Sequence, residues 1–186
     1  MNSFPRIFLV LFIALISCGT ARKKSTITMT SVNYDKKSDK TTYMVFPYGS
    51  VTMKGKWREG AYNHPSRQQY FRRADSLRLG VAIGSARKLE FYKEGMSGAT
   101  FSNAYCEWET KYMKESLHQK TELIKTDNTH GYTIWRAYSD SVNIVQLCAA
   151  SKCACNEPAF KTLTINTWKM TTQQVVQLLE EIYATE

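Results

Sequence analysis

FSNAYCEWETKYMKESL, residues Phe101 to Leu117, is where the hydrophobic period of the chain changes, and the fold class turns on it. Phe101, Tyr105, Trp108 and Tyr112 recur at steps of three and four, which aligns them along one stripe of an α-helix. Ser102 is the expected N-cap, since a serine hydroxyl accepts from the first free backbone N–H groups. Before and after this helix the period is two. In VTMKGKW, Val51 to Trp57, the residues Val51, Met53, Gly55 and Trp57 alternate with Thr52, Lys54 and Lys56, and Arg58 continues the wet side. That is a half-buried strand with one basic face.

The same pattern extends outward. Thr42–Phe46 is a short β-rich run ending in a turn at Pro47-Tyr48-Gly49, EGAYNHPS is a loop, and QQYFRR is a strand. In SLRLGVAIG, Leu77, Leu79, Val81 and Ile83 share a face. Beyond the helix come TELIKTD, a turn at Asn128–Gly131, YTIWRAYS, a turn at Asp140, SVNIVQLCA, a loop at SKCACNEP, and FKTLTINTW. Thr171 or Thr172 then caps a last helix with Val175, Leu178, Leu179 and Ile182 on its buried stripe. There is no repeat and no strand–helix–strand rhythm. The expected fold is α+β, an antiparallel sheet with two main helices packed on it in a single domain.

The chain has 186 residues, 43% of them hydrophobic and 22% charged, enough to bury one core and too apolar for wholesale disorder. Its N-terminus is separate in character. Arg6 and the terminal amine precede the apolar run Ile7 to Ile16, the layout of a secretory signal. Leu15-Ile16-Ser17-Cys18 resembles the bacterial lipobox, in which the cysteine becomes the lipidated first residue of the mature protein. The resemblance implies a signal peptide over residues 1–17 and lipidation at Cys18. Residues 18–40, rich in Ser, Thr, Lys and Asp, then serve as a flexible tether with one short strand at Thr26–Thr30, and the domain spans 41–186. Several acyl chains on one cysteine hold a protein firmly to a bilayer. Gly19 lacks the acid that retains such proteins at the inner membrane, so the expected address is the outer membrane, facing the periplasm.

Loss of residues 1–17 leaves 24 basic against 16 acidic side chains, a formal +8. Export argues against nucleic acid as the partner of this charge. An acidic protein surface or anionic head groups fit the location.

FPYGSVTMKGKW, SRQQYF, LEFYKEGM, AYCEWETKY and TIWRAY, within Tyr43 to Tyr183, resemble a family of small bacterial lipoproteins carrying a PsbP-like domain, an α/β/α sandwich. The resemblance implies that fold. It carries no catalytic motif, so it implies no functional residue.

Four cysteines remain besides Cys18. A disulfide from Cys148 to Cys153 or Cys155 is one reading, free thiols another, and a thiolate metal site with Cys106 or a histidine a third. His64, His118 and His130 fall in a loop, at a helix end and in a turn, with nothing in their spacing to bring them together. Glu107 and Glu109 flank Trp108 and read as solvated helix positions. No nucleophile elbow, zinc-protease, Walker or dinucleotide motif occurs, and no cofactor is expected. The most suggestive feature is basic: Lys54, Lys56, Arg58, Arg67, Arg72, Arg73 and Arg78, continued by Arg87 and Lys88 and interleaved with Tyr48, Trp57, Tyr62 and Tyr70. Arginine beside tyrosine is the composition of a binding surface. These features predict a lipid-anchored, non-enzymatic binding or accessory module. The alternatives are an immunity protein that blocks a partner toxin, and a thiol, metal or hydrolytic protein.

Overall fold

Alternating segments need partners for their backbone groups, and in this protein they find them in two sheets. A computed structural model describes residues 27–185. The expected signal peptide over residues 1–17 and the expected lipidation site, Cys18, lie outside the described residues. Strands β1 (Met29–Asp35), β2 (Lys40–Phe46) and β3 (Gly49–Lys54) form a three-stranded antiparallel meander. Strands β4 (Arg58–Asn63), β5 (Gln68–Arg72) and β6 (Arg78–Ser85) open a second, larger sheet. A short 3-10 turn, Ala86–Lys88, and helix α1 (Gly98–Glu115) then carry the chain to that sheet's far edge. Strands β7 (Lys120–Asp127), β8 (Tyr132–Tyr138), β9 (Asn143–Lys152) and β10 (Pro158–Asn166) return towards β6, and helix α2 (Thr172–Ala184) ends the fold. The order is β4-β5-β6-β10-β9-β8-β7, with every pair antiparallel. The domain is therefore α+β and mostly sheet, with two sheets where one was expected.

The two faces of the large sheet are covered differently. On one, Leu79, Val81, Leu147, Leu163 and Ile165 pack with Val51 and Met53 of β3 and with Val175, Leu179 and Ile182 of α2, forming the main core. The small sheet and α2 share this side. Thr171, not Thr172, caps α2: Gln174 N donates to Thr171 Oγ1 and Thr171 N donates to Gln174 Oε1, a complete capping box. On the other face, α1 lies over β7, β8 and β9. Phe101, Tyr105, Cys148 and Phe160 form one buried cluster there, and Cys106, Met113, Trp135 and Ala137 another. The β4–β5–β6 half of this face has no helix over it.

Several local expectations change. Helix α1 starts a turn earlier than its aromatic stripe, with Ser97 as N-cap. Ser102 is fully buried against Thr133 Oγ1 at 3.0 Å, so its hydroxyl serves the helix–sheet contact and not the cap. The stripe turns outward along its length: Phe101 and Tyr105 are buried, while Tyr112 is exposed. EGAYNHPS is not all loop, because Arg58–Asn63 pairs with β5 as an edge strand, with a bulge between Glu59 and Tyr62. The strand expected at Thr26–Thr30 runs instead from Met29 to Asp35 along β2, so the folded domain begins inside the proposed tether. VTMKGKW is also interrupted: β3 stops at Lys54, Gly55 takes φ 84°, and Trp57 is buried beyond that turn.

Candidate binding cleft

The uncovered half-face is the floor of a cleft of about 1090 Å³, walled on one side by α1 and the segment after the 3-10 turn. Three small residues of β6, Gly80, Ala82 and Gly84, lie on this face of the sheet. A Cβ at Gly80 would sit 2.9 Å from Gln68 Oε1 and 3.1 Å from Tyr70 Cε1, so both side chains would have to shift to admit it.

The floor carries a directed chain of hydrogen bonds. Gln68 Nε2 donates to Thr164 Oγ1 at 3.0 Å, and Thr164 Oγ1 donates to Gln146 Oε1 at 2.7 Å. Gln146 Nε2 donates in turn to Glu109 Oε2 at 3.1 Å. The Tyr105 hydroxyl donates to the same carboxyl. Each amide and hydroxyl thus points its donor towards Glu109 of α1, where the chain ends. Burial nevertheless raises the Glu109 carboxyl above its ordinary pKa, and the two donors only partly offset this. The same burial, together with the Glu109 charge, raises the Tyr105 phenol.

Aromatic rings form the wall. Phe91, Tyr105 and Trp108 meet with centroids 5.6–5.8 Å apart, Tyr105 lies 6.0 Å from Phe160, and Trp108 Nε1 donates to Glu90. Tyr70 rises from the opposite strand, and Tyr112 and Leu117 stand exposed at the rim.

Strand register makes the mouth basic. Arg58 lies opposite Arg72, and Arg72 opposite Arg78, so three arginines stand in one row across β4, β5 and β6. Directly opposed like charges destabilise a sheet. None of the three forms an ion pair among the described residues, and Arg72 has only Ser76 Oγ, at 3.1 Å. Arg72 and Arg78 line the cleft, joined by Arg67 and Lys88.

The remaining basic residues of the expected surface are dispersed. Arg73 turns to the other face, where it packs over Trp57 and pairs with Asp75 at 2.7 Å. Lys56 sits over Tyr34, and Lys54 ends β3 in the small sheet. Alternation explains the division: Arg72 and Arg73 are adjacent and must point to opposite sides.

The cysteines correct the expected pairing. Cys153 is bonded to Cys155, while Cys148 is a free, fully buried thiol. Cys148 points beneath α1, whereas Cys153 packs against the main core on the opposite side of the sheet. Cys153 follows the end of β9 at Lys152, and sulfurs on opposite faces of a sheet cannot meet. The thiolate triad is therefore not assembled, and among the described residues no three His, Cys, Asp or Glu side chains converge to hold a metal. Cys106 is also a free thiol, pushed up to about 12 by burial. His64 and His130 lie in separate turns, and His118 lies between α1 and β7.

Glu109 was expected to be solvated and is half-buried in the floor chain, while Glu107 is exposed. The polar residues Gln68, Gln146 and Thr164 escaped sequence reading altogether. Their only signal was a polar residue at an inward position of an otherwise apolar strand.

Comparison with protein-family models finds no matching family, and comparison with curated proteins finds no similar one. Fold and site together define an antiparallel α+β domain with an open, arginine-rimmed cleft.

Proposed function

We propose that this protein is a lipid-anchored, non-enzymatic binding module of the bacterial cell envelope, and that the cleft is where it holds an anionic partner. The anchor rests on the Leu15–Cys18 lipobox resemblance, and the PsbP-like α/β/α assignment is supported by helices lying on either side of the large sheet. The observation that carries the binding role is the Arg58–Arg72–Arg78 row. Three opposed cations without carboxylate partners oppose folding, and a bound anion removes that repulsion.

Two measurements test it. Cys18→Ala should abolish incorporation of labelled acyl chain and move the protein from the membrane to the soluble fraction; unchanged fractionation refutes the anchor. For the cleft, the full chain in nonionic detergent is eluted by salt from a dextran sulfate column. Replacing Arg58, Arg72 and Arg78 by Gln should lower the eluting salt more than replacing Lys36, Lys37 and Lys40, which removes equal charge from the small sheet. Equal shifts would show general basicity alone and refute the cleft as the anion site.

A further inference from the structure

We infer that the ligand of the cleft is an acidic oligosaccharide, its carboxylate held by Arg72 and Arg78 and its hydroxylated rings lying along the floor and the aromatic wall. This rests on the cleft being the binding site, as proposed above, and adds the chemistry of the occupant.

The floor excludes the simplest anionic alternative, a fatty acid. An alkyl chain laid on it would cover the half-exposed Tyr70 and Glu109 and the exposed Asn166 amide and return no hydrogen bond. A polyol returns many. Among the described residues, Gln68 Oε1, the Tyr70 hydroxyl and Asn166 Nδ2 border the cleft without a protein partner, so an acceptor, a hydroxyl and an amide donor are left for a ligand. Glu109 and Gln68 oxygens accept from hydroxyls, and Asn166 and the arginines donate to them.

The wall supplies the second requirement. Sugar rings present C–H faces that pack on aromatic rings, and Tyr70, Trp108 and Tyr112 border the cleft from its two sides. Such rings give large contact area at low entropy cost and keep a polar tip for bonding.

Register supplies the third. Arg72 and Arg78 are direct cross-strand neighbours, so their guanidinium groups can share one carboxylate. The arginines stand at one end of β6 and Gly84, beside Phe160, at the other. Six residues of strand separate them, about 20 Å, the length of a short oligosaccharide with its acid at the arginine end.

The test is titration calorimetry of the detergent-solubilised full chain with three acidic probes: trigalacturonate, trimannuronate and sialyllactose. Methyl-esterified trigalacturonate removes the charge and keeps the hydroxyls, and octanoate keeps the charge and removes the hydroxyls. The expected result is saturable binding of at least one acidic saccharide. Its methyl ester (for sialyllactose, the methyl ester of that sugar) should bind about tenfold more weakly. Arg78→Gln and Tyr112→Ala, both at exposed positions, should each weaken binding by about tenfold. Trp168→Ala, exposed and outside the cleft lining, should leave it unchanged.

The inference is overturned if none of the three saccharides binds more tightly than about 1 mM, if octanoate binds and they do not, or if the cleft variants behave like Trp168→Ala. Where the saccharides fail but the arginine variant still differs from the lysine variant on dextran sulfate, the cleft stands as an anion site and only the ligand class falls. Where both fail, the site falls with it.

Discussion

Gln146→Met tests the floor of the cleft as a connected network. Gln146 is 1% exposed and holds two partners, accepting from Thr164 Oγ1 and donating to Glu109 Oε2. Methionine is of similar size and flexible, so the cavity contribution is small and the cost comes from the lost bonds. The neutral bond to Thr164 contributes about 1 kcal/mol, and the bond to an ionised carboxylate about 1.5–3 kcal/mol. The expected destabilisation with Glu109 ionised is about 2.5–4 kcal/mol.

Its pH dependence follows from Glu109. Burial raises the folded-state pKa of this carboxyl, so the folded protein binds its proton more tightly than the unfolded chain does. Stability from this group is therefore full below the unfolded value of about 4.3 and falls as pH rises through the folded value. Removing the Gln146 donor raises the folded pKa further and deepens that loss. Urea unfolding of wild type and variant should differ by about 1 kcal/mol near pH 4, with the gap widening to the full figure by about pH 8. In a Glu109→Gln background the widening should disappear. A gap that is constant with pH, or below about 0.5 kcal/mol throughout, would refute the account of Glu109 as a buried carboxyl held by Gln146.

Two further outcomes check the core. Cys106 and Cys148 are buried thiols raised by burial, so a maleimide should label neither in the native protein and both after unfolding in guanidinium; native labelling of Cys148 would mean that α1 does not cover it. Leu179→Ala should destabilise by about 2–5 kcal/mol, because the side chain is fully buried between α2 and the sheet. Trp168→Ala at an exposed position should change stability by less than about 0.5 kcal/mol, and comparable losses from the two would contradict the assigned core.

Much of the architecture was legible because burial imposes a period on each element. Leu77, Leu79 and Val81 alternate since one face of β6 meets the main core, and the stripe Val175, Leu179, Ile182 marks the buried side of α2. Elements without a buried face left no period. Strand β4 is exposed at all but its last residue and is held only by its bonds to β5, so Glu59–Tyr62 reads as loop. Strand β1 is nearly as exposed and reads as part of a tether. Ser102 shows the converse, since a serine in a helix's first turns has the same local signature whether it caps the helix or bonds to a neighbouring strand.

The site divides in the same way. The sequence by itself determined the supply of arginines between Arg58 and Arg78 and the residues able to form each strand and helix. Tertiary structure alone decided which arginines stand together. Arg58, Arg72 and Arg78 are separated by fourteen and six residues and become neighbours only through the register of β4, β5 and β6. Gln68, Glu109, Gln146 and Thr164 come from four elements, and only the packing of α1 over the sheet joins them into one chain. Periodicity records the face a residue takes within its own element. The opposing residue is chosen by pairing and packing between segments distant in the chain, and no local pattern encodes it.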